Sequence, residues 1–228
     1  MAASQEHTVK AFDEDIGRLR GLISEMGGRA EEAIRRAMLA LQRGDLELAA
    51  TVREEDRRID ALESDVERMA VRIIALRAPM ADDLREVVAA LKIAGVLERV
   101  GDYAKNIAKR VPMIESEHRI EPISIIPAMA RMASEMVNDV LDAFAARDAA
   151  LASEVYRRDD ALDDFYDSIF RTLVTHMVEN PRTIGQVAHL LFVAKNIERI
   201  GDHATNVAEM VFYAATGTQM TDREKGQG

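Results

Sequence analysis

The chain has 228 residues, of which 48% are hydrophobic, 31% are charged and 4% are aromatic, and its net charge is −10. This apolar content is enough for a sizeable core, whereas the acidic balance argues against a general nucleic-acid binder. The absence of cysteine excludes disulfides and thiolate metal ligands and fits a cytoplasmic protein. No apolar run approaches the roughly 20 residues of a membrane-spanning helix, and the polar N-terminus has no signal-peptide core.

Three long helices are predicted in the first half of the chain, because strong helix formers run between clear stop signals. Gly44-Asp45 is typical of a helix end followed by an N-cap, and Ala78-Pro79 of a second helix end. Gly27-Gly28 marks a weak point or kink within the first helix. The predicted helices cover about 9–43, 45–77 and 82–110.

The second half repeats this order after a segment that holds three prolines. Its helices are predicted over about 128–146, 148–179 and 183–215. Long helices joined by short turns pack antiparallel, so we expect an all-α fold of six long helices. They would form two tandem antiparallel three-helix bundles in a pseudo-two-fold relation. The predicted units are a first repeat over 1–111, a linker over 112–127, a second repeat over 128–215 and a disordered tail over 216–228.

An internal duplication is the most specific feature of the sequence. The eleven residues from Glu98 to Ala108 recur one hundred positions later, and seven of them are identical. Packing alone requires only the apolar positions to persist, yet polar ones persist here too. Positions i, i+4 and i+8 of a helix lie on one face, so each copy forms a row of oxygen ligands. The two rows are Glu98, Asp102 and Asn106, and Glu198, Asp202 and Asn206.

A second carboxylate row is duplicated at an offset of 103 residues. Asp56 and Asp60 recur as Asp159 and Asp163, again at i and i+4. Like charges at this spacing destabilise a helix by roughly 0.2–0.5 kcal/mol, so a bound cation is the simplest reason to keep four such pairs. A solvated acidic face is the alternative for any single pair. We predict one metal site in each repeat, where its two rows converge.

Other residues of the duplicated segment have competing interpretations. Arg99 and Arg199 are candidate anion ligands, but i, i+3 ion pairs with Asp102 and Asp202 are the simpler prediction. The mid-helix glycines indicate close helix contact or backbone approach by a bound group, because glycine costs about 1 kcal/mol there relative to alanine. These glycines are Gly101 and Gly201.

Histidines give weaker signals. His203 is a possible metal ligand, but Tyr103 takes its place in the first copy. Glu115 and His118 have Glu-x-x-His spacing, but the motif occurs once and in the proline-flanked linker. Di-iron bundle enzymes need it twice, on bundle helices.

At these residues the chain resembles the PhoU family of bacterial phosphate-uptake regulators. The resemblance covers nearly all of the chain except both ends, and the duplicated Glu-Arg-Val/Ile-Gly-Asp is the family signature. It implies two tandem three-helix bundles and multinuclear metal clusters on the carboxylate rows. The metal would be iron, zinc, manganese or magnesium. The matching segments are 79–85, 97–102, 180–184 and 197–206.

The resemblance also implies a non-enzymatic adaptor, active as a cytoplasmic homodimer. Its partners would be the ATPase subunit of the phosphate ABC transporter and the phosphate-sensing histidine kinase, both restrained when phosphate is plentiful. The alternative is a carboxylate-bridged metal enzyme. The absence of a second Glu-x-x-His motif argues against it. A purely structural helical scaffold is a third possibility, for which duplicated polar rows have no evident use.

Overall fold

The computed structural model describes residues 2–114 and 121–221, with side chains described for 11–114 and 123–221. The described residues contain no strand, as expected of an all-α fold. Two short 3-10 turns, Glu121–Ser124 and Pro181–Thr183, accompany the α-helices. The α-helices are α1 (Ala2–Arg43), α2 (Leu46–Arg77), α3 (Asp82–Ala108), α4 (Val111–Ile114), α5 (Ile126–Ala146), α6 (Ala149–Arg157), α7 (Asp159–Glu179) and α8 (Ile184–Thr216).

The first turn of each repeat is built in the same way. Gly44 ends α1 with a positive φ of 65°, and the Asp45 side chain then accepts a hydrogen bond from the Leu48 amide at 2.9 Å. In the second repeat Asp148 caps α6, and Arg147 takes the glycine's place at φ 54°. The predicted stop and N-cap are therefore confirmed, and the second repeat holds a non-glycine residue in the left-handed region.

The predicted fifth helix is interrupted, which the sequence pattern did not show. Arg158 separates α6 from α7, and its amide bonds the carbonyls of Val155 and Tyr156 rather than continuing the regular ladder. Its guanidinium forms an ion pair with Asp139 of α5. As a result Asp159 lies in the first turn of α7, where the helix dipole favours negative charge.

The glycine pair in α1 does not break the helix, and its first member, Gly27, lies at a close packing contact. The helix runs without interruption through Gly27-Gly28. A Cβ built on Gly27 would lie 2.2 Å from Leu141 Cδ1 of α5, so the missing side chain lets the two repeats approach closely.

The third helices of the two repeats, α3 and α8, pack against each other at the centre of the fold. Tyr103 and His203, equivalent residues of the two copies, stack with ring centroids 5.4 Å apart. Arg110 at the end of α3 lies 3.1 Å from His189 near the start of α8, so the two helices run antiparallel. Contact between equivalent residues of antiparallel helices places the pseudo-two-fold axis here. One apolar core of buried side chains extends through both repeats.

A buried carboxylate joins the repeats near the start of α3. Glu86 is 4% exposed and accepts a hydrogen bond from Arg20 Nε of α1 at 2.5 Å. Its other oxygen forms an ion pair with Arg147, at the end of α5 in the second repeat. Breaking a buried ion pair is costly because it leaves a charge without compensation.

The segments outside the bundles are short where they are described. The linker contains α4 and the turn Glu121–Ser124, and its Glu-x-x-His motif at 115–118 lies outside the described residues. Within the predicted tail, Met220 is 7% exposed, and 222–228 lie outside the described residues. No helix in the described ranges combines the length and apolar character that crossing a bilayer requires.

Candidate metal centre

The two carboxylate rows of each repeat meet where a glycine lets two helices come together. A Cβ on Gly201 of α8 would lie 2.2 Å from Leu162 Cδ2 and 3.1 Å from Asp159 Oδ1, both on α7. A Cβ on Gly101 of α3 would lie 2.7 Å from a terminal carbon of Ile59 on α2. The close helix contact expected from the mid-helix glycines is therefore present in both repeats, and it brings a carboxylate against the neighbouring helix.

Three aspartates converge in the second repeat. Each of Asp159, Asp163 and Asp202 offers a carboxylate oxygen, and these oxygens lie within 4.8 Å of one another. Glu198, one turn before Asp202 on α8, is buried at 9% exposure. We call these four residues the second-repeat centre. The structure thus brings together the two predicted rows of this repeat, from α7 and α8.

Burial and mutual repulsion make the three aspartates of the second-repeat centre harder to ionise. Burial, together with the charges of Asp163 and Asp202, raises the pKa of Asp159 to about 7. Burial and the charge of Glu198 also raise the pKa of Asp163 and of Asp202. Groups that are hard to ionise because of one another are stabilised together by a cation.

Two carboxylate oxygens in the second-repeat centre are buried without a hydrogen-bond partner. They are Asp159 Oδ1 and Glu198 Oε2. The other oxygen of Glu198 accepts from Lys195 Nζ at 2.5 Å. Unpaired buried carboxylate oxygens are costly, and a hard cation with oxygen ligands would satisfy them. The residues present therefore fit a bound divalent cation.

The metal-free protein should lose stability as pH rises from about 4 to about 7. Asp159 in the folded state binds a proton up to a pKa of about 7, whereas its ordinary value is 3.8. Between these values the folded state holds more protons than the unfolded state, so its stability falls with rising pH. Asp159→Asn removes this contribution. Thermal unfolding in chelator, measured at about pH 5 and at about pH 8, should show that the melting temperature falls less between these pH values in the variant than in the wild type. Equal losses would show that Asp159 is ionised in the fold at both pH values.

The equivalent place in the first repeat is partly filled by a lysine. Asp56 is 5% exposed, and its Oδ2 forms an ion pair with Lys105 Nζ. The same ammonium group donates to Asp102 Oδ1 at 3.0 Å. Within the described residues, the first repeat has no group of three carboxylates as close as that of the second.

Other carboxyl groups of the first repeat, which form no ion pair with Lys105, lie toward the other end of the rows. Asp60 is exposed as a residue, but partial desolvation of its carboxyl group and the charge of Asp56 raise its pKa, and the charge of Lys105 offsets part of this. Burial and the charge of Asp102 raise the pKa of Glu98, and burial also raises that of Glu63. The first repeat therefore also holds neighbouring carboxyl groups with raised pKa values, one turn away from the Lys105 bridge. Glu63 belongs to this group in addition to the predicted residues.

The asparagines of the two rows, Asn106 and Asn206, differ in burial and in contacts. Asn106 accepts from Lys109 Nζ at 3.2 Å, and Asn206 is exposed.

The predicted pairing of the signature arginines is not observed. Among the described residues, neither Arg99 nor Arg199 lies within ion-pair distance of its aspartate. Asp102 is engaged by Lys105 instead, and the guanidinium of Arg199 lies 6.0 Å from the centre of the Tyr103 ring.

His203 is engaged at the pseudo-two-fold axis rather than with the carboxylates. Its Nε2 is 3.1 Å from the Tyr103 hydroxyl. Burial and the charges of Arg99 and Arg199 lower the pKa of the imidazole.

Sequence reasoning missed the two lysines and Glu63. Lys105 stands where the second copy has Thr205, and Lys195 stands where the first has a glycine, Gly95. Aligning the two copies shows both departures, because each lysine occupies a position at which the copies differ, whereas the predicted rows consist of positions that the copies share.

The fold and the site define a class of all-helical proteins built from a duplicated three-helix unit. In both copies of the unit, carboxylate rows of two helices face each other. A sequence profile of the PhoU domain matches residues 23–111 and 126–211, once in each repeat. The chain belongs to the PhoU family.

Relatives match over nearly their whole length. A protein of Zymomonas mobilis named phosphate-specific transport system accessory protein PhoU homolog is 56% identical over 221 residues, covering 97% of this chain and 93% of the relative. A protein of the same name from Caulobacter vibrioides is 46% identical and covers 96% of this chain and 95% of the relative. These names denote accessory proteins, which confirms the prediction of a non-enzymatic protein.

Solved structures share the fold. The crystal structure of PhoU from Pseudomonas aeruginosa is 37% identical, with a TM-score of 0.84, and covers 91% of this chain and 100% of that one. The phosphate transport system regulatory protein PhoU from Streptococcus pneumoniae is 27% identical, with a TM-score of 0.86, and covers 92% of this chain and 99% of that one. The predicted pair of three-helix bundles is confirmed.

Proposed function

We propose that this chain is a metal-binding regulatory adaptor of phosphate uptake. The observation that carries the proposal is family membership over both repeats, with relatives named as accessory proteins of phosphate-specific transport. The chain restrains uptake and phosphate-regulon signalling when phosphate is plentiful. It acts from the cytoplasm as a homodimer, on the ATPase subunit of the phosphate ABC transporter and on the phosphate-sensing histidine kinase.

The metal part of the proposal is supported by the second-repeat centre. Asp159, Asp163 and Asp202 would hold a cation, with Glu198 alongside. A ligand set made only of oxygens suits magnesium, manganese or iron. The cation would neutralise the three aspartates, whose pKa values burial and neighbouring charges raise, and so would hold α7 against α8.

The adaptor proposal predicts a phenotype that an enzyme would not require. A strain lacking this chain should express the phosphate regulon even in phosphate-rich medium, and the wild-type gene should restore repression. A reporter fused to a regulon promoter measures both. In parallel, the purified chain should capture the transporter's ATPase subunit and the kinase's cytosolic part, with or without added Mn²⁺.

The proposal fails if two results occur together. These are normal repression in the deletion strain, and no capture of either partner with or without metal. That outcome would redirect attention to carboxylate-bridged metal chemistry. A complementing gene that carries Asp159→Asn and Asp202→Asn separates the two parts of the proposal, because full repression by this variant would show that regulation does not need the centre.

A further inference from the structure

Two lysines break the symmetry between the carboxylate rows of the repeats. Lys105 lies in the first repeat at the position of Thr205 in the second, and Lys195 lies in the second at the position of Gly95 in the first. Each lysine contacts carboxylates of its own repeat, but at opposite ends of the row.

In the first repeat the lysine lies at the point where the two helices meet. Lys105 Nζ pairs with Asp56 Oδ2 of α2 and donates to Asp102 Oδ1 of α3 at 3.0 Å. It therefore bridges the rows of both helices, as a bound cation would. The Lys105 side chain is 28% exposed and that of Asp56 is 5% exposed, so this half of the bridge is shielded from solvent, whereas the Asp102 side chain is 46% exposed.

In the second repeat the same place has no ammonium group. Thr205 is 8% exposed, and its hydroxyl donates to the Asp202 backbone carbonyl at 2.7 Å, so it compensates neither carboxylate. The equivalents of the bridged pair are Asp159 and Asp202, and with Asp163 they form the close group of three.

The lysine of the second repeat, Lys195, contacts Glu198 and does not lie between the three aspartates. Lys195 binds Glu198 Oε1 at 2.5 Å and lies 5.3 Å from the centre of the Tyr166 ring. Glu198 is 9% exposed, and its Oε2 has no hydrogen-bond partner. Among the described residues, Lys195 forms an ion pair with Glu198 at the edge of the centre and with none of the three aspartates. Its charge offsets only part of the repulsion at Asp163 and Asp202, whose pKa values stay raised, and one buried Glu198 oxygen keeps no hydrogen-bond partner.

We propose that Lys105 is a built-in counter-cation that makes the two repeats unequal. The second-repeat centre takes up a divalent cation first, and the first repeat admits one between Asp56 and Asp102 only when Lys105 is displaced. This inference rests on the metal-binding part of the proposed function. Lys105 thereby makes the second-repeat centre the high-affinity site and the first repeat the low-affinity site. Occupancy of the first repeat then reports a higher metal concentration.

The test is a titration of the full chain with Mn²⁺ after its metal has been removed with chelator. Electron paramagnetic resonance of the free ion gives the number of Mn²⁺ ions bound and the dissociation constant of each class of site. The wild type should show one tight class, and Asp202→Asn should abolish it. Lys105→Thr, which installs the second repeat's residue in the first, should tighten the weaker class by about tenfold, the equivalent of one charge-assisted hydrogen bond. Thr205→Lys should weaken the tight class by a similar factor.

A matched control is Lys92→Thr, which removes an exposed lysine from the same helix and should leave both classes unchanged. Circular dichroism of each metal-free variant checks that the helices persist, and Lys105→Thr carries the test by itself if Thr205→Lys does not fold. Two equal classes in the wild type, or a Lys105→Thr titration identical to the wild type, would overturn the inference while metal binding stands. Absence of Mn²⁺ binding to wild type and Lys105→Thr alike would instead remove the metal-binding part of the proposed function, and this inference with it.

Discussion

Mn²⁺ at about a hundredfold excess over its dissociation constant is expected to stabilise the metal-free protein by about 2.7 kcal/mol. The effect follows because the second-repeat centre exists only in the folded state, where α7 and α8 bring three carboxylates within 4.8 Å. Urea unfolding above about pH 7, in chelator and then in Mn²⁺, measures the difference. The pH matters because Asp159, with a pKa of about 7, must lose its proton to bind a cation.

The double variant Asp159→Asn with Asp202→Asn should lose this stabilisation. Without metal it should be at least as stable as the wild type at about pH 8, because mutually repelling charges are gone. Asp164→Asn is the matched control, since Asp164 is an exposed neighbour on α7 outside the group of three. A double variant that still gains stability from Mn²⁺ would show that the cation binds elsewhere. One that unfolds in chelator would show that these aspartates support the fold itself.

Glu86→Ala is expected to destabilise the protein by about 2 kcal/mol, less than the roughly 3–5 kcal/mol for a fully buried ion pair, because the side chains of Arg20 and Arg147 are 37% and 40% exposed. Glu86 is 4% exposed and joins Arg20 of the first repeat to Arg147 of the second. The substitution removes the shared acceptor of both guanidinium groups and leaves a cavity between the repeats. Chemical denaturation monitored by circular dichroism gives the free energy of unfolding.

An exposed ion pair provides the comparison. Glu25 pairs with Arg29 at 2.8 Å, and both side chains are at least 38% exposed, so Glu25→Ala should cost well under about 1 kcal/mol. A Glu86→Ala variant no less stable than Glu25→Ala would mean that its arginines find equivalent partners in solvent and that the repeats are joined by apolar packing alone.

Local signals in the sequence determined the elements and the facing rows. Helix formers between Gly44-Asp45 and Ala78-Pro79 predicted the helix ends, because these residues act on the backbone next to them. The duplication predicted two equivalent bundles. Positions four residues apart share a helix face whatever the helix packs against, so the rows that begin at Glu98 and Glu198 could be read without a structure.

Only the tertiary structure decided which charges meet. Lys105 could have extended into solvent, as long side chains on helices commonly do, but the contact of α2 with α3 places Asp56 within its reach. Arg99 stands three residues before Asp102, yet the ion pair goes to the lysine. Arg158, at the break between α6 and α7, likewise pairs with Asp139, a residue of another helix. Spacing along one helix fixes the direction of a side chain, but the partner comes from a neighbouring helix, whose register is set by packing of the whole core. For that reason the sequence by itself predicted two similar sites, and only the fold showed that Lys105 lies between the rows of one and that no lysine lies there in the other.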